Sequence, residues 1–129
     1  MQPEPLTRWL ALFEGGDMAA LDTILAEDAV FQSPVVHTPQ AGKAITTKYL
    51  ATAHKVLANG SFTYRNSWWN DDSAVLEFET VIDGITINGI DMFRWNAEGR
   101  ITDFKVMIRP LKAINLVHGL MRDALMAAA

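Results

Sequence analysis

The sequence predicts an α+β fold on three observations. Apolar residues recur at helical spacing near both ends of the chain, four runs of β-type alternation lie between them, and short turns separate those runs. Short turns make successive strands antiparallel neighbours. The helices must then collect on one face of the sheet, because neither a helix stripe nor a sheet face can be left in water.

Taken in order, Leu6, Trp9, Leu10 and Phe13 share one helical face, with Pro3 and Pro5 where a helix start tolerates proline. Gly15-Gly16 ends this helix. Asp17 is placed to cap a second, short one whose apolar face is Met18, Leu21, Ile24 and Leu25. "DAVFQSPVVHTPQ" then reads as a short strand followed by an extended segment interrupted by Pro34 and Pro39. A third helix runs from about Gly42 to Leu57, with Ile45, Tyr49, Ala53, Val56 and Leu57 on one side, and Asn59-Gly60 closes it. Strands follow over Phe62 to Trp69, Ala74 to Ile82, Ile85 to Asn96 and Ile101 to Arg109. Past Pro110, the spacing of Ile114, Val117, Met121 and Leu125 predicts a last helix.

The 129 residues suit one domain, 1–129, with no linker, repeat or low-complexity segment to divide it. Half the residues are hydrophobic and a fifth are charged, a globular composition. The net charge of −4, with no Lys/Arg cluster, argues against a nucleic-acid partner. Zero cysteines remove disulfides, thiolate metal sites and a Cys nucleophile. No His/Asp/Glu set has metal-ligand spacing and no Gly-rich phosphate loop is present, so no metal or cofactor is expected. The start "MQPEPLTRWL" lacks a secretory signal and no run suits a membrane span, so a cytoplasmic protein without a membrane partner is expected.

Strand phase then raises a question about one acid. Glu77 and Glu79 place Ala74, Leu76, Phe78, Thr80 and Ile82 on the inner face, and the charges Asp103, Lys105 and Arg109 place Thr102, Phe104, Val106 and Ile108 inward. Along Ile85 to Trp95, which takes in most of "INGIDMFRWN", the less polar phase holds Ile85, Ile87, Gly89, Phe93 and Trp95, and with them Asp91. A carboxyl group indoors must be paired, hydrogen-bonded or kept protonated. It is either a satisfied structural group or a functional acid in a pocket, and phase alone leaves both open.

Three segments in this order, "LFEGGDMAALDTILAEDAVFQSPV", "HTPQAGKAITTKYL" and "GIDMFRWNAEGRITDFKVMIRPLKA", carry a resemblance over nearly the whole chain. The chain resembles the SnoaL-like branch of the nuclear-transport-factor-2-like superfamily, which includes ketosteroid isomerases and polyketide cyclases. The resemblance implies a cystatin-like cone, a curved antiparallel sheet wrapped around N-terminal helices with a C-terminal helix, and an apolar pocket at the open end. It also implies a homodimer, for which the outward residues Val75, Val81, Ile90 and Met92 would supply apolar contacts.

Asp91 matches the position of the acid that ketosteroid isomerases keep neutral in an apolar site to donate a hydrogen bond to a developing oxyanion. Two other family positions have changed: Trp9 stands in the slot of the oxyanion tyrosine, and Ser33, before Pro34, in that of the base aspartate. Gly89 replaces the bridging arginine of limonene-type epoxide hydrolases. Phe104, Lys105 and Val106 surround the place of the polyketide cyclase acid.

His37, on the Pro-flanked segment, forms an acid–base pair with Asp91 if its ring turns into the cone, and is a rim histidine otherwise. His54 and His118 read as surface or packing residues. Trp9, Phe13, Phe31, Ser33, Tyr49, Trp68, Phe78, Phe93 and Phe104 are the candidate lining of a pocket, with core filling as the competing role of each aromatic. The resulting expectation is a domain binding an apolar small molecule, with cofactor-independent isomerase or cyclase chemistry by proton transfer. The competing expectation is a non-catalytic binding or dimerising module with a degenerate pocket.

Overall fold

A computed structural model describes residues 1–127, so the last two residues of the expected domain lie outside the described residues. Helix α1 (Glu4–Gly15) starts after Pro3 in extended backbone and buries Leu6, Trp9 and Leu12 on one stripe. Gly16 ends it at φ 74°, its amide donating to the Leu12 carbonyl at 2.9 Å. That left-handed turn is strained for any side chain bearing a Cβ, hence the glycine.

The second helix is shorter than its apolar pattern predicts. A 3-10 turn (Met18–Ala20) leads into a single α-helical turn, α2 (Leu21–Ile24), and Asp17 makes no side-chain cap. Leu25, expected on that helix, already begins strand β1 (Leu25–Gln32). Its side chain is fully buried, so one apolar residue serves either period and pairing with the sheet decides. A two-residue strand β2 (Gln40–Ala41), not evident in the sequence, pairs antiparallel with β1 through Val30 and Phe31.

Helix α3 (Lys43–Leu57) buries Thr46, Leu50, Thr52 and Leu57. Of the side expected from the sequence, Leu57 alone is in that buried set. The helix is rotated because the Thr46 hydroxyl donates to the Ala29 carbonyl at 3.1 Å, which lets a polar residue take an inner position that hydrophobicity would not assign to it.

Strands β3 (Thr63–Trp69), β4 (Ser73–Ile82), β5 (Ile85–Trp95) and β6 (Ile101–Arg109) form the expected antiparallel meander. The six-stranded open sheet has the order β2-β1-β6-β5-β4-β3. Its β1–β6 pairing is parallel, a departure from the all-antiparallel sheet expected, and the intervening helix α3 and meander supply the long connection such a pair requires. Register shifts between Tyr64 and Asn66, between Arg94 and Trp95, and between Leu25 and Val30 bend the sheet into a curved surface.

The shift after Arg94 also changes the phase at the start of β6. Ile101 and Phe104 are both buried, whereas Thr102, expected inward, is half-buried. On β4 and β5 the expected phases hold: Ala74, Leu76, Phe78 and Thr80 are buried, and so are Ile87, Gly89, Asp91 and Phe93. The Thr80 hydroxyl is satisfied by the Asn59 side chain and Ser61 hydroxyl, each at 2.9 Å.

Gly89 sits opposite Phe78, whose ring covers it. A Cβ there would lie 2.5 Å from the ring and 2.5 Å from the Met107 carbonyl oxygen, so the close approach requires glycine. Helix α4 (Leu111–Ala127) follows Pro110, buries Ala113 and Val117, and packs on α3, β5 and β6. Among the described residues, no helix is long and apolar enough to cross a membrane.

Candidate functional site

Asp91 lies mid-strand on β5, paired with Leu76 of β4 and Val106 of β6, and is 6% exposed. The Tyr64 hydroxyl donates to its Oδ2 at 2.6 Å, and the Trp9 indole N–H donates to the Tyr64 oxygen at 3.1 Å. These three residues come from α1, β3 and β5, and strand order together with the curvature of the sheet brings Tyr64, two strands away, within reach of Asp91. The other carboxyl oxygen, Oδ1, has no hydrogen-bond partner among the described residues. No fully buried side-chain oxygen lacks a partner there either, so Oδ1 must open onto free space.

That space is a cavity of about 290 Å³. Its buried end is formed by Trp9, Phe31, Leu50, Phe78, Phe104 and Asp91. Its mouth lies between the Pro34–Val36 segment and the second half of α4, where Val36, His118, Arg122 and Met126 are exposed. Trp9 and Phe104 approach to 4.8 Å between ring centroids, and Phe31 stacks on Tyr49 at 5.3 Å.

Burial in this apolar surround pushes the Asp91 carboxyl up from 3.8 to about 7, opposed in part by the Tyr64 hydrogen bond, which favours the carboxylate. The Tyr64 phenol is held well above its ordinary value, chiefly by burial and then by the neighbouring Asp91 charge. Near neutral pH Asp91 is therefore divided between acid and carboxylate. As the acid, it has a proton to donate into the cavity.

Comparison with known proteins adds the family. A family model described as SnoaL-like domain matches residues 6–104. The chain belongs to the SnoaL-like domain family. A structure described as a steroid delta-isomerase from Pseudomonas aeruginosa is 35% identical, with a TM-score of 0.89 over 97% of this chain and 93% of that one. A Silicibacter pomeroyi protein with a cystatin-like fold is 27% identical, with a TM-score of 0.82 over 97% of this chain and 84% of that one. A Catenulispora acidiphila protein of ketosteroid isomerase-like fold, in complex with trimethylamine, is 20% identical, with a TM-score of 0.64 over 88% of this chain and 91% of that one. No curated protein matches the sequence.

In this SnoaL-like chain Trp9, Phe13, Phe31, Ser33, Tyr49, Phe78 and Phe104 line the cavity together with Asp91. Two expected lining residues do not. Phe93 is fully buried behind Phe104, its ring parallel to that ring at 5.4 Å, and fills core. Trp68 is 56% exposed, because its partner Val75 belongs to the outward phase of β4.

His37 is exposed and is not among the lining residues, so the pairing with Asp91 that required an inward ring is not formed. The segment leads its side chain into solvent after the turn at Ser33, whose Oγ accepts the amides of Val35 at 3.0 Å and Val36 at 3.3 Å. The Ser33 oxygen is thus already engaged in holding that turn. His54 Nε2 bonds the Phe13 carbonyl at 3.0 Å and packs edge-on against the Phe13 ring, a packing role as expected.

Sequence reasoning missed Tyr64 and Arg122, and read His118 as a surface or packing residue, which its exposure bears out, without its place at the cavity mouth. Tyr64 shares a strand phase with Phe62, but its role emerges only from cross-strand placement. His118 and Arg122 lie four apart on α4, a spacing that reads as an ordinary wet face until the helix is docked over the cavity. Among the described residues no group of three or more His, Cys, Asp or Glu is arranged to hold a metal ion.

Proposed function

We propose that this chain binds a compact apolar molecule carrying a carbonyl or similar acceptor oxygen, with the protonated Asp91 donating a hydrogen bond to that oxygen. The observation that carries this reading is the unpartnered Oδ1 of a buried acid at the closed end of an apolar cavity. A few convergent polar groups in an otherwise apolar hollow are the usual make-up of a small-molecule site, and about 290 Å³ is at the compact end of the range. The 35% identity to a protein described as a steroid delta-isomerase supports a ring ketone as the ligand class. Tyr64 and Trp9 hold the carboxyl in place, so the donor is oriented before the ligand arrives.

In an isomerase- or cyclase-like reaction the same donor stabilises negative charge developing on the ligand oxygen. Proton abstraction also requires a base, and the engaged Ser33 hydroxyl does not supply one. Binding is therefore the better supported part of the reading. Titration with a decalone against decalin, followed by tryptophan fluorescence, tests it. The ketone should bind about tenfold tighter, and Asp91→Ala should erase that difference. Absence of saturable quenching, or equal affinities in the wild-type chain, refutes the reading. Exchange of the bound ketone's α-hydrogens in deuterated water tests proton transfer separately: equal rates in wild type and Asp91→Ala leave binding alone.

The reading includes a homodimer through the outer sheet face, where Trp68, Val75 and Met92 form one cross-strand row. Sedimentation showing only monomer at micromolar concentration refutes that part.

A further inference from the structure

The second half of α4 gives the cavity a chemically distinct outer end. Val117, Met121 and Leu125 recur at four-residue spacing and all line the cavity, so this stripe of the helix faces it. Beside that stripe, one position further along, His118 and Arg122 form a parallel pair at the mouth, and both also line the cavity. The Arg122 Nε donates to Asp123 Oδ1 at 3.4 Å, a pair between sequence neighbours whose side chains are 60% and 73% exposed. Such a pair holds the guanidinium weakly. Its two terminal nitrogens have no hydrogen-bond partner among the described residues, leaving a planar fork of donors at the rim. The buried end, by contrast, presents one acid and no fixed positive charge.

We infer that the natural ligand is an apolar oxo acid, held by its carbonyl oxygen at Asp91 and by a carboxylate at the mouth on Arg122, with His118 one helical turn earlier beside it. This rests on the binding reading above and deepens it. A carboxylate is the anion that a guanidinium fork fits through two parallel hydrogen bonds. An anion at the buried end would be repelled by Asp91 in its carboxylate form and would lose its hydration among aromatic rings. The ligand therefore enters apolar end first, and the mouth selects among ring ketones for those with an acidic tail.

The test compares 6-acetyl-2-naphthoic acid with its primary amide, which has the same shape and no charge, by isothermal titration calorimetry on the full chain at pH 7.5 and low salt. The acid should bind about fivefold tighter than the amide. Arg122→Gln should bring the ratio of affinities to about one, and Arg122→Lys, which keeps the charge and loses the fork, should retain part of it. Added salt should lower the wild-type ratio, because the mouth is open to screening. Equal affinities in the wild-type chain, or a ratio that survives Arg122→Gln, overturn the inference while the binding reading stands. The same holds if neither naphthyl compound binds although the decalone does. If the decalone also fails, both fall.

Discussion

Replacing Asp91 by Asn isolates the energetic consequence of burying that carboxyl. In the unfolded chain the group ionises near its ordinary value of 3.8, whereas in the fold it is pushed to about 7. Between those values the folded state binds the proton that the unfolded state has released, so stability falls as pH rises through this window and levels off above it. Each tenfold change in proton activity across the interval is worth about 1.36 kcal/mol, which gives a total penalty of roughly 4 kcal/mol on the alkaline side. About 2.5 kcal/mol of it falls between pH 5 and pH 8. Asn occupies nearly the same volume and its carbonyl oxygen can accept the Tyr64 proton, but it does not titrate. Urea unfolding of both proteins at intervals from pH 5 to pH 8 should therefore show the variant gaining on the wild type by roughly that amount, with similar m values. A stability difference that stays constant over the range would show that Asp91 keeps an ordinary acidity and would remove the reasoning behind a proton held in the cavity.

Further outcomes follow from the same geometry. Tyr64→Phe removes the hydrogen bond that lowers the Asp91 value, so the stability loss should extend to higher pH, with an overall cost of order 1 kcal/mol from the lost bond; the same unfolding series reads both. Gly89→Ala should cost about 1–3 kcal/mol in chemical unfolding, because the added methyl meets the Phe78 ring and the Met107 carbonyl, and an unchanged midpoint would contradict the packing described. Ligand quenching should persist in Trp68→Phe, whose indole faces solvent, and fall sharply in Trp9→Phe, whose indole lines the cavity. Phe93→Leu should destabilise the fold by about 1–2 kcal/mol and leave ketone affinity unchanged, since that ring lies behind Phe104.

Apart from the two-residue β2, the order of helices and strands, the boundaries of the four-stranded meander and the inward phase of Asp91 were legible in the sequence, since each depends on local periodicity, turn residues and the cost of burying charge. Periodicity was silent where a polar residue turns inward on a hydrogen bond, as at Thr46, or where a bulge shifts phase, as between Ile101 and Phe104. It was equally silent on which aromatics frame the cavity. Phe93 and Phe104 face each other across paired strands, yet only the latter borders the hollow.

What the sequence determined by itself was that one acid must sit among apolar side chains, because two-residue alternation and the placement of neighbouring charges operate within single strands. What holds that acid was decided by tertiary structure. Tyr64 is 27 positions away and Trp9 is 55 positions from Tyr64, and they converge through strand order and the seating of α1. The same is true of the mouth, where the docking of α4 turns His118 and Arg122 from a wet helix face into the rim of a cavity. Chain-distant contacts of this kind leave no periodic trace, because the curvature of the sheet sets them, and that curvature is a property of all six strands together.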